Sequence, residues 1–137
     1  MSDLSDFFEN KIGDHMLRNQ AYTPPATIYV ALFTAATGLE ANNPTGEVTG
    51  GSYARQAVTL SAFAGGASSN SGEIAFPVAT APDWGSVTHA ALVDHATNTN
   101  WGVNVNVLMW DALVQAKTVN AGDTFKFPVG DLDVSFS

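Results

Sequence analysis

A Pro24-Pro25 step divides the chain into two stretches with different hydrophobic periods. Before it, Leu4, Phe8, Ile12 and Met16 recur at every fourth position, with Phe7 and Leu17 beside them. That spacing lines up one stripe of a helix and predicts a helix over residues 3–18. Ser2 is the expected N-cap, with Asp3 and Asp6 at the positive end of the helix dipole and Arg18 near the negative end. Gly13 weakens the middle by about 1 kcal/mol relative to Ala, so packing has to hold this helix. Tyr22-Thr23-Pro24-Pro25 then ends it, because proline lacks the N–H and extends the residue before it.

After the prolines the chain becomes a series of short apolar runs between Gly, Asn, Ser and Pro. This is the punctuation of antiparallel strands. The expected strands are Thr27–Thr34, Ser52–Leu60, Glu73–Phe76, Val87–Asp94, Val103–Trp110, Thr124–Phe127 and Leu132–Phe136. Thr27–Thr34 is nearly all apolar and reads as a central strand. Val103, Val105 and Val107 alternate with Asn104 and Asn106, the pattern of a half-buried strand. Ala35–Gly51, Gly65–Gly72, Thr97–Asn100 and Asn120–Asp123 are the expected loops and turns. The fold class is therefore mainly β: a β-sandwich of about seven or eight short strands with one N-terminal α-helix. With 137 residues and no internal repeat, residues 1–137 are read as a single domain. Residues 1–20 form a helical docking arm in that reading, and 21–137 the β-sandwich body.

Composition narrows the function classes. Five basic residues against 13 acidic ones give a net charge of −8. Nucleic acid and anionic membrane surfaces both need a basic stripe that five scattered cations do not draw. No apolar run approaches the ~20 residues of a membrane span, and the acidic N-terminus is unlike a signal peptide. The absence of cysteine removes disulfides, thiol nucleophiles and thiolate metal sites.

The residues that bear chemistry do not assemble into a catalytic motif. His89 and His95 flank Asp94, but a separation of six matches neither strand nor helix ligand spacing. Asp131 and Asp133 read as the solvent face of a terminal strand. Asp94–Asn100 lacks the order and closing Glu of a calcium loop. Gly50-Gly51-Ser52 precedes a strand and offers no helix N-terminus to a phosphate. Trp84 beside Gly85 is either a plug at the end of the sandwich, the favoured reading, or a platform for a sugar ring. The expectation is no enzyme, no cofactor and no metal.

Several stretches, in order along the chain, resemble a family of small bacteriophage virion proteins often labelled tail fibre proteins. They include Leu4-Ser5-Asp6-Phe7-Phe8-Glu9-Asn10-Lys11, Tyr22–Thr34, Gly46-Glu47-Val48, Gly50–Val58, Ile74–Thr80, Trp84–His89, Lys117–Asp123 and Gly130–Val134. Asp94–Asp111 departs from that pattern, with His95, the Thr97–Asn100 loop and the Val103–Val107 run in its place. The resemblance implies a structural role on the virion and no catalytic residues. A shaft needs collagen-like, heptad or other repeats, and this chain has none. The leading expectation is therefore a capsid decoration protein that binds the major capsid protein or other virion proteins. A tail fibre, fibre-adaptor or baseplate component is the alternative, and a carbohydrate-binding module comes third. By analogy with decoration proteins, which commonly occupy threefold positions, a homo-oligomer such as a trimer is expected. Partner contacts are expected from Phe7, Phe8, Ile12, Tyr22, Tyr53, Arg55 and His95. Phe7 and Phe8 point about 100° apart on a helix, so one is expected to face the body and the other outward.

Overall fold

A computed structural model describes residues 1–136. The element order is β1 (Asp3–Leu4), α1 (Asp6–Arg18), β2 (Ile28–Phe33), β3 (Gln56–Val58), β4 (Ala67–Ser69), β5 (Ile74–Ala75), β6 (Gly85–Val93), β7 (Val107–Val119), β8 (Lys126–Phe127) and β9 (Asp133–Ser135). The protein is mainly β with one helix near the N-terminus. A five-stranded antiparallel sheet runs β1-β7-β6-β2-β3, and two small sheets, β4-β9 and β5-β8, complete a sandwich-like arrangement.

The near-continuous apolar run of β2 has a simple cause. Val30 and Leu32 belong to one buried cluster, while Ala31 and Phe33 belong to another on the opposite face. The larger cluster packs them against Ile74, Phe76, Phe125, Phe127, Leu132 and Val134 of the small sheets and their flanks. The smaller one lies under the loops that carry Leu39, Val105 and Trp101. A strand covered on both faces has no reason to alternate polar and apolar residues.

The chain begins differently from the predicted 3–18 helix. Asp3 and Leu4 pair with Trp110 and Met109 of β7, and the helix starts at Asp6. Ser5, not Ser2, is the N-cap. Its hydroxyl accepts from the Phe8 N–H at 3.2 Å and donates to the Val107 carbonyl, while its own N–H reaches the Leu108 carbonyl. Sheet pairing thus takes the first residues away from the helix. The N-terminal ammonium extends the link by donating to the Asp133 carbonyl at 2.6 Å. Asn19, in the left-handed region at φ 56°, closes the helix by donating to the Asp14 carbonyl.

The predicted Val103–Trp110 strand is also displaced. Residues 101–105 form a turn in which Gly102 has φ 77° and Val103 is 72% exposed. The strand runs from Val107 to Val119 instead. The side chain of Asn106 does not face solvent from a strand, because Asp94 and Asn42 hold it at 2.8 Å each. Asn42 also accepts from the Val107 N–H. These amide contacts fold the polar loops over β6 and β7, so the alternation of Val and Asn has another origin than a pleat. Along β7, Val87 pairs with Lys117 but His89 with Ala112, so Leu113–Ala116 stand out as a long bulge.

Smaller differences concern lengths. The predicted Ser52–Leu60 strand contracts to Gln56–Val58, and Ala67–Ser69, read as loop, pairs with the C-terminal strand. No helix among the described residues is long and apolar enough to cross a membrane.

Candidate functional site

The segment after β2 and the loop after β6 meet at a buried ion pair. Arg55 is 8% exposed in a chain with few cations, and its guanidinium grips Glu47 by two parallel bonds. Nε reaches Oε1 and Nη2 reaches Oε2, both at 2.7 Å. Nη1 donates to the His95 carbonyl at 2.8 Å, so one side chain ties two loops together. The guanidinium carbon also lies 4.9 Å over the Trp101 ring. A bidentate, stacked Arg of this kind is not replaceable by Lys.

Tyr53 completes the floor. Its hydroxyl donates to Glu47 Oε1 at 3.0 Å and accepts the Leu32 N–H at 2.9 Å. Burial pushes its phenol up, and the neighbouring Glu47 carboxylate pushes it further. The ring is edge-on to Trp84 at 5.4 Å and stacked with Phe76 at 6.2 Å. Trp84 itself is buried and donates to the Gly51 carbonyl at 2.7 Å, so it is a plug and not a sugar platform. A Cβ at Gly50 would collide with Trp84, which is why the chain needs glycine there.

His95 is exposed, yet its ring is committed. Nδ1 accepts from the Thr97 N–H at 3.1 Å and the Asn98 N–H at 2.9 Å. Those bonds assign the proton to Nε2 and shape the loop that leads to Trp101. His89 sits elsewhere on the sheet, with Nδ1 2.8 Å from Thr88 Oγ1 and its ring 6.1 Å from Trp110. Among the described residues, the carboxylates close enough to share an ion are Asp6, Glu9 and Glu40, all exposed around the helix N-terminus. That position is favourable for acidic side chains without an ion.

The seven expected contact residues fall into two groups. Tyr53, Arg55 and His95 meet at the ion pair, and Tyr22 lies close enough to Asp94, beside His95, for that carboxylate to add to burial in raising its phenol. Phe7, Phe8 and Ile12 lie apart on α1. Both phenylalanines are half-buried and packed on the larger cluster with Leu4, rather than divided between inside and outside. The open apolar surface of the helix is at its other end, where Met16 is 70% and Leu17 86% exposed. Neither residue was singled out for contact by sequence reasoning, and Glu47 and Trp101 were missed as well. A lone Arg on a strand does call for a carboxylate, but its partner comes from a loop whose path the sequence does not give.

The sequence model of a family described as Podophage GP4 fiber I protein gp80 matches residues 3–135. The chain belongs to that family. The match runs through β1, the helix, both sides of the ion pair and the last strand, and so includes both groups of residues just described. No curated protein sequence matches the chain. As a member of a phage fibre family it is a structural protein of the virion.

Proposed function

We propose that this chain is a compact fibre-type component of the phage virion that attaches to its neighbours through the exposed end of α1. The family match over residues 3–135 supports the fibre placement. The attachment reading rests on Met16 and Leu17, adjacent apolar side chains left in water at the end of a helix whose first turns pack on the body. Exposed apolar groups beside a polar rim are typical contact surfaces. Its role is to bind and not to catalyse.

One observation favours a second reading, capsid decoration. The chain carries no shaft-forming repeat, and a compact body is suited to bridging shell subunits in many copies. Copy number separates the two. Quantitative mass spectrometry of purified virions gives a handful of copies for a tail or fibre position and hundreds for the capsid. The helix assignment is tested with Met16→Asp combined with Leu17→Asp. The double variant keeps its melting temperature and loses incorporation into virions. Incorporation at the normal level sinks the attachment reading while leaving the virion placement to the copy-number result.

A further inference from the structure

The loop that leaves β6 is fastened at two places by acceptors of different kinds. At its base the Asp94 carboxylate accepts the Asn106 N–H at 2.6 Å and Asn106 Nδ2 at 2.8 Å. At its turn the acceptor is an imidazole. His95 Nδ1 takes both the Thr97 and the Asn98 N–H, and neither N–H has a backbone acceptor among the described residues. The His95 carbonyl meanwhile receives Nη1 of Arg55. One residue therefore closes the turn and joins it to the segment that carries Arg55 and Glu47.

An imidazole accepts at Nδ1 only while it is neutral; in the cation both ring nitrogens are donors. The three histidines differ on this point. His15 Nδ1 faces the Gln20 carbonyl at 3.0 Å, so it donates and keeps its bond when the ring is charged. His89 Nδ1 faces the Thr88 hydroxyl, which can turn to donate or to accept. His95 faces two N–H groups, so its bonds demand the neutral ring. Its exposure lets water deliver a proton without any unfolding of the sheet. The charged and titratable groups around it are Asp94 beside it, Arg55, Glu47 and Tyr53 from the segment after β2, and Tyr22 from the linker after α1. The guanidinium already places one positive charge at the His95 carbonyl. Asp94 is committed to Asn106 and Glu47 to Arg55 and Tyr53, and no carboxylate among the described residues pairs with the His95 ring. A proton on Nδ1 thus removes two bonds from the turn and gains no ion pair in exchange.

We propose that His95 is a proton-operated latch: its neutral ring holds the loop Ala96–Trp101 against the segment that carries Arg55, and protonation at Nδ1 releases that loop while the sheet stays folded. The proton comes from water, and no covalent bond other than the new N–H changes. Closure is complete on the alkaline side of the imidazole titration and is lost on the acid side. Trp101, which lies on the Arg55 guanidinium at 4.9 Å and 6.2 Å from Phe33, moves with the loop and reports it. The inference stands apart from the attachment reading of α1. It is tested on the full chain by amide, indole and imidazole NMR from about pH 8 to pH 5, the span over which imidazoles change charge. At the alkaline end the His95 ring is expected as the Nε2–H tautomer. On acidification the Thr97 and Asn98 amides and the Trp101 indole are expected to shift with the midpoint of the His95 ring, while the Ala31 and Ala91 amides in the sheet hold still. The Asn106 amide reports the Asp94 carboxylate separately. His95→Asn is the control, because the introduced Oδ1 takes the place of Nδ1 and accepts the same N–H groups without titrating. It is expected to keep the alkaline spectrum of the loop and to lose the shared midpoint. The latch is overturned if the alkaline ring carries its proton on Nδ1, a reading that needs no variant. It is equally overturned if His95 titrates without Thr97, Asn98 and Trp101, if the sheet amides shift with them, or if the response survives in His95→Asn.

Discussion

Arg55 shows how one side chain can hold two loops, and the arithmetic explains why its loss is severe. Its side chain is 3% exposed and that of Glu47 14%, so removing the cation strands a carboxylate in a poorly solvated place. Breaking a buried pair this way typically costs about 3–5 kcal/mol, more than the net worth of the pair. Arg55→Ala is therefore expected to lose about that much in urea denaturation, and Arg55→Lys to recover only part, because an ammonium does not bridge both oxygens. An unchanged midpoint for Arg55→Ala contradicts the cross-link. Tyr53 adds a pH dependence. Its folded phenol is pushed above the ordinary value of about 10, so the unfolded chain ionises first. Stability from this group is complete below about pH 10 and declines as pH rises beyond it. Tyr53→Phe should remove that part of the alkaline decline. At neutral pH it should cost about 1–3 kcal/mol, because the Leu32 N–H loses its acceptor. An alkaline unfolding curve identical to wild type argues against Tyr53 as the source.

The helix is fastened by its beginning. Ser5 is fully buried and serves four bonds at once: the cap to Phe8, the hydroxyl bond to Val107, the N–H bond to Leu108 and the carbonyl that accepts from the Glu9 N–H. Ser5→Ala removes two of them and is expected to cost about 1–3 kcal/mol, read by thermal or chemical denaturation. Ser2→Ala, at the position sequence spacing favours as the cap, is expected to change little, since Ser2 is exposed. Equal effects of the two substitutions would contradict the assignment. The β7 bulge contrasts with this. Val114 is fully exposed, so Val114→Ser is expected to stay within about 0.5 kcal/mol of wild type. The predicted helix start and the predicted Val103 strand fail for a shared reason. In both places a local period competes with backbone pairing or side-chain amide bonds from distant residues, and the distant partners win.

The first residues and the last strand meet in the folded molecule. The N-terminal ammonium bonds the Asp133 carbonyl, the Ser135 N–H bonds the Met1 carbonyl, and Asp3 and Leu4 pair with β7. The first residues therefore stitch β9 to the main sheet instead of leading freely into a helix. Removing residues 1–4 is expected to lower the melting temperature by many degrees, because it strips a strand, the backbone bonds at Met1 and the packing of Leu4 together. A truncated chain that melts with wild type overturns that account. This changes how attachment has to be tested. A chain lacking the whole helix would lose body stability and surface contacts at once, whereas Met16 and Leu17 separate the two. For the assembly, a homo-oligomer such as a trimer stays our proposal, checked by light scattering on the eluting protein.

Short-range chemistry made much of the fold legible in advance. Two adjacent prolines end a helix whatever surrounds them, and Gly, Asn and Ser between apolar runs mark turns because their backbone preferences are local. Hence one helix, a mainly β body and the strand expected over Thr27–Thr34, found at Ile28–Phe33, could be read from the residues alone, as could the ordered resemblance to fibre-type virion proteins. The site was only half legible. Arg55 stood out as a rare cation with Tyr53 beside it, and His95 as part of the segment that departs from the family pattern, but nothing in their spacing joins them to each other, to Glu47 or to Trp101. That grouping forms only when sheet pairing brings the loop after β6 against the segment after β2. The burial of Trp84 and the exposure of Met16 and Leu17 were settled the same way. Local preference acts between neighbours in sequence, while burial and ion pairing act between neighbours in space, and only the folded chain says which those are.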